Sequence, residues 1–187
     1  MSSQAKLIPA SSQTVGPFFT IGLESLTHDA PTLEPGSGAT IAIRGMVLDR
    51  DRAPVPDALL EFWTANCNAG HLSSVSEGSE FPQGFRRAST DLDGKFMMTI
   101  KRPEALRMND GSMQAPHLLV LLFARGLMRH LVTRVYFENH PGNASDPVLL
   151  GIPVERRRTL IARQEANGAF CWDVILQGAD ETVFFAW

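Results

Sequence analysis

The stretch FRRASTDLDGKFMMTIK (85–101) sets two short runs on either side of Asp93-Gly94, and in the second of them apolar residues recur at every other position. That period of two is the spacing that puts side chains on one face of a strand. Both central positions of a type I′ turn need positive φ, and Asp-Gly is among the pairs that supply it, so the segment predicts a β-hairpin. Working outward, similar runs separated by turn clusters fall at 40–48 (TIAIRGMVL), 58–64, 85–90, 95–101, 117–124, 131–138, 171–177 and 181–186. Short strands at this spacing indicate an all-β chain, a sandwich of two mainly antiparallel sheets. Asp91-Leu92-Asp93-Gly94 is not half of a calcium loop, because Lys95 stands where the next oxygen ligand belongs and no bidentate Glu follows at the required spacing.

Two regions depart from this pattern. Residues 1–39 carry Pro9, Pro17, Pro31 and Pro35 among Ser, Thr and Gly, with no sustained apolar period, and read as an extended arm before a domain at 40–187. Within it SQTVGPFFTIGL (12–23) is too apolar for a loose tail and must pack on its own domain or on another chain. Residues 153–165 (PVERRRTLIARQE) begin with Pro, then an acid, then arginines, with Leu160 and Ile161 on one side, as expected of a short surface helix with a solvated basic face.

The 187 residues are 44% apolar and 20% charged, with net charge −3, and suit one globular domain. Without a net positive field, nucleic acid and anionic membrane surfaces are not expected partners. The start MSSQAKLIPASSQ lacks the apolar stretch of a signal peptide, so a cytoplasmic location is expected. Cys67 and Cys171 are too few for a disulfide framework and read as small buried hydrophobes. Asn143-Ala144-Ser145 matches a glycosylation acceptor by chance in such a compartment. The single Tyr, Tyr136, excludes any site that needs two phenolates from this chain.

Chemistry-bearing motifs are sparse. G-x-S-x-G, the P-loop, G-x-G-x-x-G and C-x-x-C are all missing, and the five His include no H-x-H, no H-E-x-x-H and no i, i+4 pair. Cys67 and His71 form only a lone half-site. His117, directly after Ala115-Pro116 at the head of the most apolar strand, reads as a core His bonded to a backbone carbonyl. Arg134 is the more telling residue. In LVTRVYF, alternation puts Leu131, Thr133 and Val135 on one face and Val132, Arg134 and Tyr136 on the other. An Arg midway along so apolar a strand either pairs with an acid such as Glu138 or Glu61, or faces a cleft that takes an anion. A planar guanidinium suits a carboxylate there, through two parallel hydrogen bonds.

Taken in order, SQTVGPFFTIGL (12–23), IRGMVLDRDRAPVPDALLEFWTAN (43–66), FRRASTDLDGKFMMTIK (85–101), APHLLVLLFARGL (115–127) and TRVYFENHP (133–141) resemble the intradiol ring-cleaving dioxygenases. The resemblance implies a non-haem Fe(III) held by two Tyr and two His, with O2 cleaving a catechol between its hydroxyls. Carried over position by position, the first Tyr falls on His71, eight residues after Trp63, and the second on Ala105 in TIKRPEA; the paired His motif reads His117-Leu118-Leu119. Three of four ligands are then missing, which implies no metal ligand set and no catalytic residue in this chain. Fe(III) would come from an iron-bearing beta chain in a hetero-oligomer of alpha–beta units, with the 1–39 arm packing on it. The resemblance further implies that Thr14, Gly16 and Pro17 of the arm shape the substrate mouth, and that Arg134 lines the pocket and favours a carboxylated catechol. A different class of protein, a transthyretin-like or immunoglobulin-like binding module without enzymatic role, also suits APVPDALLEFW followed by a hairpin.

Overall fold

The computed structural model of the chain describes residues 10–16, 18–23, 40–64 and 84–186. Among these residues the eleven strands are β1 (Thr40–Leu48), β2 (Leu59–Thr64), β3 (Phe85–Ser89), β4 (Lys95–Lys101), β5 (Leu106–Arg107), β6 (Met113–Gln114), β7 (His117–Phe123), β8 (Leu131–Phe137), β9 (Ile161–Gln164), β10 (Phe170–Cys171) and β11 (Val174–Ile175). Helical turns are few: α1 (Phe18–Leu23), α2 (Pro147–Leu150), α3 (Val154–Arg157) and two short 3-10 turns. The chain is therefore all-β, as its alternating runs require.

Hydrogen bonds join nine strands in one sheet, in the order β11-β1-β10-β9-β8-β7-β2-β3, with β4 on the remaining side of β1 and β5–β6 a separate hairpin. The two sheets expected from the sequence are thus connected. The connector is β9, parallel to β8 at Tyr136↔Ile161 and Phe137↔Ala162 and antiparallel to β10 at Gln164↔Phe170 and Arg163↔Cys171. Ile41, Ile43, Phe96, Met98 and Ile100 of β1 and β4 share one core with Leu60, Phe62, Leu118, Val120, Leu122 and Val135 of β2, β7 and β8. Phe62 and Phe96 meet across it, ring centroids 5.9 Å apart. Every second residue of β1 is buried, so alternation alone decides which side chains enter that core.

Four local readings are revised by the structure. The β3–β4 hairpin forms, but not on a two-residue type I′ turn. Of the two, only Gly94 has positive φ, 70°, while Asp93 does not; the Asp91 side chain accepts hydrogen bonds from the backbone N–H of Asp93 (2.9 Å) and Lys95 (2.8 Å) and so fastens the turn instead. The surface helix expected over 153–165 is confined to α3 and a 3-10 turn at Arg158–Leu160, after which β9 begins; Ile161 and Ala162 are drawn into pairing with β8. The 171–177 strand is interrupted at Trp172-Asp173. There the chain crosses so close to Gly45 that a Cβ on that glycine would stand 1.7 Å from the Trp172 carbonyl oxygen. Residues 181–186 form no regular strand, yet they cover the edge of β8: Phe185 N–H donates to Val132 O at 2.8 Å, and Thr133 Oγ1 donates to Val183 O at 2.7 Å.

The described part of the arm is also not wholly extended, since α1 forms over Phe18–Leu23. It sits on its own domain. Thr20 Oγ1 donates to Asp57 O at 3.0 Å, and the Phe19 ring lies 5.6 Å from that of Phe123. Cys171 is half-buried with a free thiol; Cys67 lies outside the described residues.

Candidate substrate pocket and its anchoring network

Two neighbouring features occupy the outer face of β8, where Val132, Arg134 and Tyr136 alternate as the sequence requires. The first is an open groove of about 620 Å³ between the arm and the end of β7, with Val15, Phe19, Phe123, Met128, Val132 and Phe185 among its walls. Thr14, between the lining residues Gln13 and Val15, accepts a hydrogen bond at its Oγ1 from Gly126 N–H at 2.7 Å. Gly16 O accepts the Phe19 N–H at 3.1 Å and opens the turn into α1; a Cβ on Gly16 would meet nothing within 4 Å. Pro17 lies outside the described residues.

The second feature centres on Arg134. Its guanidinium carbon lies 6.0 Å from the centre of the Phe185 ring, which also walls the groove, so Phe185 separates Arg134 from the arm. Nη1 of Arg134 donates to Gln114 Oε1 at 3.0 Å and to Tyr136 Oη at 3.4 Å. Neither acid weighed as a structural partner is used: Glu61 is paired with Arg87 at 2.5 Å, and Glu138 accepts Gln164 N–H at 2.9 Å. Among the described residues Arg134 has no ion pair, and its Nε and Nη2 make no hydrogen bond. The edge suited to bidentate binding of a carboxylate is thus left open.

Beneath Arg134 the network continues into the interior. Tyr136 Oη donates to Asp146 Oδ1 at 3.1 Å, and both residues are fully buried. Asp146 is the N-cap of α2: Oδ1 also accepts the N–H groups of Val148 and Leu149 at 2.9 Å, while Oδ2 accepts Ala115 N–H at 2.8 Å. Four hydrogen bonds satisfy the acceptors of this buried side chain. Burial raises the Tyr136 hydroxyl to a pKa of about 12, against the contrary pull of Arg134, so it stays a hydroxyl that donates to Asp146 and accepts from Arg134.

His117 faces Tyr136 across the β7–β8 pair, with ring centroids 5.2 Å apart. It is the core histidine its sequence context suggests: 4% exposed, with Nδ1 2.7 Å from Ala115 O. Desolvation lowers its pKa; the Ala115 carbonyl opposes that shift, Arg134 adds to it and Asp146 opposes it. Nδ1 therefore carries the proton and donates to the carbonyl. Among the described residues the donors needed for a ferric ion do not assemble around it. At two positions where the resemblance implies ligands stand Leu119 and Ala105, the latter exposed between β4 and β5, and the third, His71, lies outside the described residues. Among the described residues no three His, Cys, Asp or Glu side chains come together. One imidazole, with only Nε2 left to coordinate, does not make a site for hard Fe(III).

Of the residues singled out in the sequence, Thr14 and Gly16 flank Val15, which lines the groove, without lining it themselves, and Arg134 stands apart from them beside Phe185. Gln114, Tyr136 and Asp146 escaped sequence reading as members of one network. Asp146-Pro147 did carry a signal, since an N-cap Asp followed by Pro at the first helical position marks a helix start; nothing marks Gln114.

This fold, with its groove and its unpaired Arg134 edge, accords with what comparison shows: the chain belongs to the intradiol ring-cleavage dioxygenases, the Dioxygenase family profile matching residues 15–178. The protocatechuate 3,4-dioxygenase alpha chain of Burkholderia cepacia is 36% identical over 93% of this chain and 95% of its own, and that of Pseudomonas putida 35% identical over 96% and 98%. The beta chain of the Burkholderia cepacia enzyme is 29% identical over 84% of this chain and 72% of its own. Among solved structures, hydroxyquinol 1,2-dioxygenase from Pseudomonas putida DLL-E4 shares the fold, with a TM-score of 0.59 at 21% identity over 88% of this chain and 66% of that one.

Proposed function

We propose that this chain is the iron-free alpha subunit of a protocatechuate 3,4-dioxygenase. It shapes the substrate pocket at the boundary with an iron-bearing beta chain, and the complex uses O2 to cleave protocatechuate between its hydroxyls, giving 3-carboxy-cis,cis-muconate. The observation that carries the reading is Arg134, a half-buried cation with no acid partner among the described residues and with its Nε–Nη2 edge unbonded. A buried or half-buried guanidinium without a counterion is costly unless an anion arrives to pair with it, and the ring carboxylate of protocatechuate is such an anion. Near full-length similarity to two alpha chains supports the same assignment. The donor positions support the division of labour: with Ala105 and Leu119 where the resemblance implies a Tyr and a His, His117 alone would not hold Fe(III), and the partner would supply the site.

In this reading Thr14, Gly16 and Pro17 form the rim of the mouth, and the 1–39 arm, besides its contacts to its own domain, packs on the beta chain. The domain at 40–187 is a two-layer sandwich, supported by the single core that β1 and β4 share with β2, β7 and β8. The complex works in the cytoplasm; among the described residues no helix is long and apolar enough to cross a membrane. No specific observation favours the alternative of a transthyretin-like or immunoglobulin-like binding module.

The test is co-expression with a partner chain that carries two ligand Tyr and an H-x-H motif. The two should co-purify, with iron and visible phenolate-to-iron absorption in the pair and neither in this chain alone. A red, iron-loaded, active single chain, or separate elution of the two, overturns the assignment. Within the complex, Arg134→Ala should cost about 1–3 kcal/mol in kcat/KM for protocatechuate and much less for catechol. Equal losses on both remove Arg134 from carboxylate recognition.

A further inference from the structure

Arg134 is a long, flexible side chain, and an arginine that must present one edge to a ligand loses affinity to every rotamer in which that edge points elsewhere. Both of its hydrogen bonds are made by the same nitrogen, Nη1, to Gln114 Oε1 at 3.0 Å and Tyr136 Oη at 3.4 Å. Both acceptors are buried. Gln114 is 6% exposed and lies on β6, just before Ala115, whose N–H is fixed by Asp146. Tyr136 is fully buried, and its hydroxyl hydrogen is taken by Asp146, so its oxygen is left to accept from Arg134. The Phe185 ring closes a further side.

We propose that Gln114 and Tyr136 are positioning residues for substrate selection: they clamp Nη1 of Arg134 so that its Nε–Nη2 edge is presented, ready oriented, to the ring carboxylate of the substrate. The inference rests on the reading that Arg134 meets that carboxylate, and it adds that the selectivity resides in the clamp as much as in the charge. Asp146 compensates the guanidinium through the Tyr136 hydroxyl rather than directly, and so stabilises the cation without occupying the edge that binds. A direct acid partner would do the opposite. Gln114 is neutral where a Glu of equal length would form an ion pair with Arg134 and compete with the substrate.

The experiment measures kcat/KM for protocatechuate and for catechol in the co-expressed alpha–beta complex, for Arg134→Ala, Tyr136→Phe, Gln114→Leu, Gln114→Glu and the double variant Arg134→Ala/Tyr136→Phe. Tyr136→Phe and Gln114→Leu should each lower the protocatechuate-to-catechol ratio about three- to tenfold, chiefly through KM, as expected for one charge-assisted hydrogen bond. Gln114→Glu should lower it further than Gln114→Leu. In the Arg134→Ala background, Tyr136→Phe should leave the ratio unchanged, which a merely structural role would not predict. If Arg134→Ala lowers the ratio and the Tyr136 and Gln114 variants do not, the clamp is wrong while carboxylate recognition by Arg134 stands. If Arg134→Ala itself leaves the ratio intact, both fall. Should Tyr136→Phe fail to assemble, the two Gln114 variants decide the question from the other side of Nη1.

Discussion

The large core between β1, β4, β2 and β7 is held by apolar contact, whereas the smaller cluster at the β6–α2 end is wired by hydrogen bonds. Ile43, Val47, Phe62, Ile100, Leu118 and Val120 fill the first, each essentially unexposed. The second gathers Ala115, Leu149, Ile152 and Leu160 around Tyr136, and beside it lie three of the six buried polar residues among those described, Gln114, His117 and Asp146. Apolar burial is non-directional and tolerates small adjustments; a hydrogen-bonded cluster fixes directions and is penalised heavily when one member is lost. The molecule keeps its stability in one place and its geometric precision in the other, and the precise end is the one that carries Arg134.

The sharpest way to break the first region is Gly45→Ala. A methyl there would meet the Trp172 carbonyl oxygen and carbon at 1.7 and 2.7 Å, both backbone atoms, so β1 and the chain at Trp172 must part. The expected loss is roughly 3–5 kcal/mol, read as a shift in the urea midpoint. A variant as stable as wild type would show that this crossing is not tight. At the polar end, Asp146→Ala removes the acceptor of four hydrogen bonds and strands the Tyr136 hydroxyl and the Ala115 N–H. It should cost about 2–4 kcal/mol and fray α2, seen as faster amide exchange at Val148 and Leu149. Comparable loss with α2 still protected would mean that the cap does not organise this end.

The smallest effect expected is one of pH. His117 is buried neutral, with its pKa held below the ordinary value first by desolvation. Below about pH 6.5 the unfolded chain takes up a proton that the folded chain refuses, so stability falls as pH drops through that range. His117→Phe should flatten this acid slope in unfolding curves taken between pH 7 and 5. An unchanged slope would assign it to the carboxylates.

Much of the apolar region was legible in sequence, because alternation is the physical cause of burial in a strand: 40–48 and 95–101 coincide with β1 and β4. The short β9 was hidden behind the arginines of 153–165, since pairing with β8 overrides a weak helical pattern. The turn at Asp93-Gly94 was mistyped because the competing acceptor, the Asp91 carboxylate, is two residues upstream. At the site, Arg134 stood out as a charge among apolar neighbours. Gln114, Tyr136 and Asp146 did not, because what makes them a unit is contact across 10 to 20 residues of sequence, which no local pattern records.

The parallel pairing of β1 with β10 and β11 bears on how the chain is made. Arg44 partners Cys171 and Leu48 partners Ile175, so one edge of the first long strand waits for the last quarter of the chain. At ordinary translation rates of about 5–20 residues per second, that edge stays open for roughly 6–26 s after its own synthesis. β4 covers the opposite edge much sooner, at Thr40↔Lys101 to Met46↔Lys95. The nascent chain therefore spends those seconds as a one-sided sheet, and it is then, rather than in the finished fold, that β1 is most exposed to pairing with a strand from another molecule.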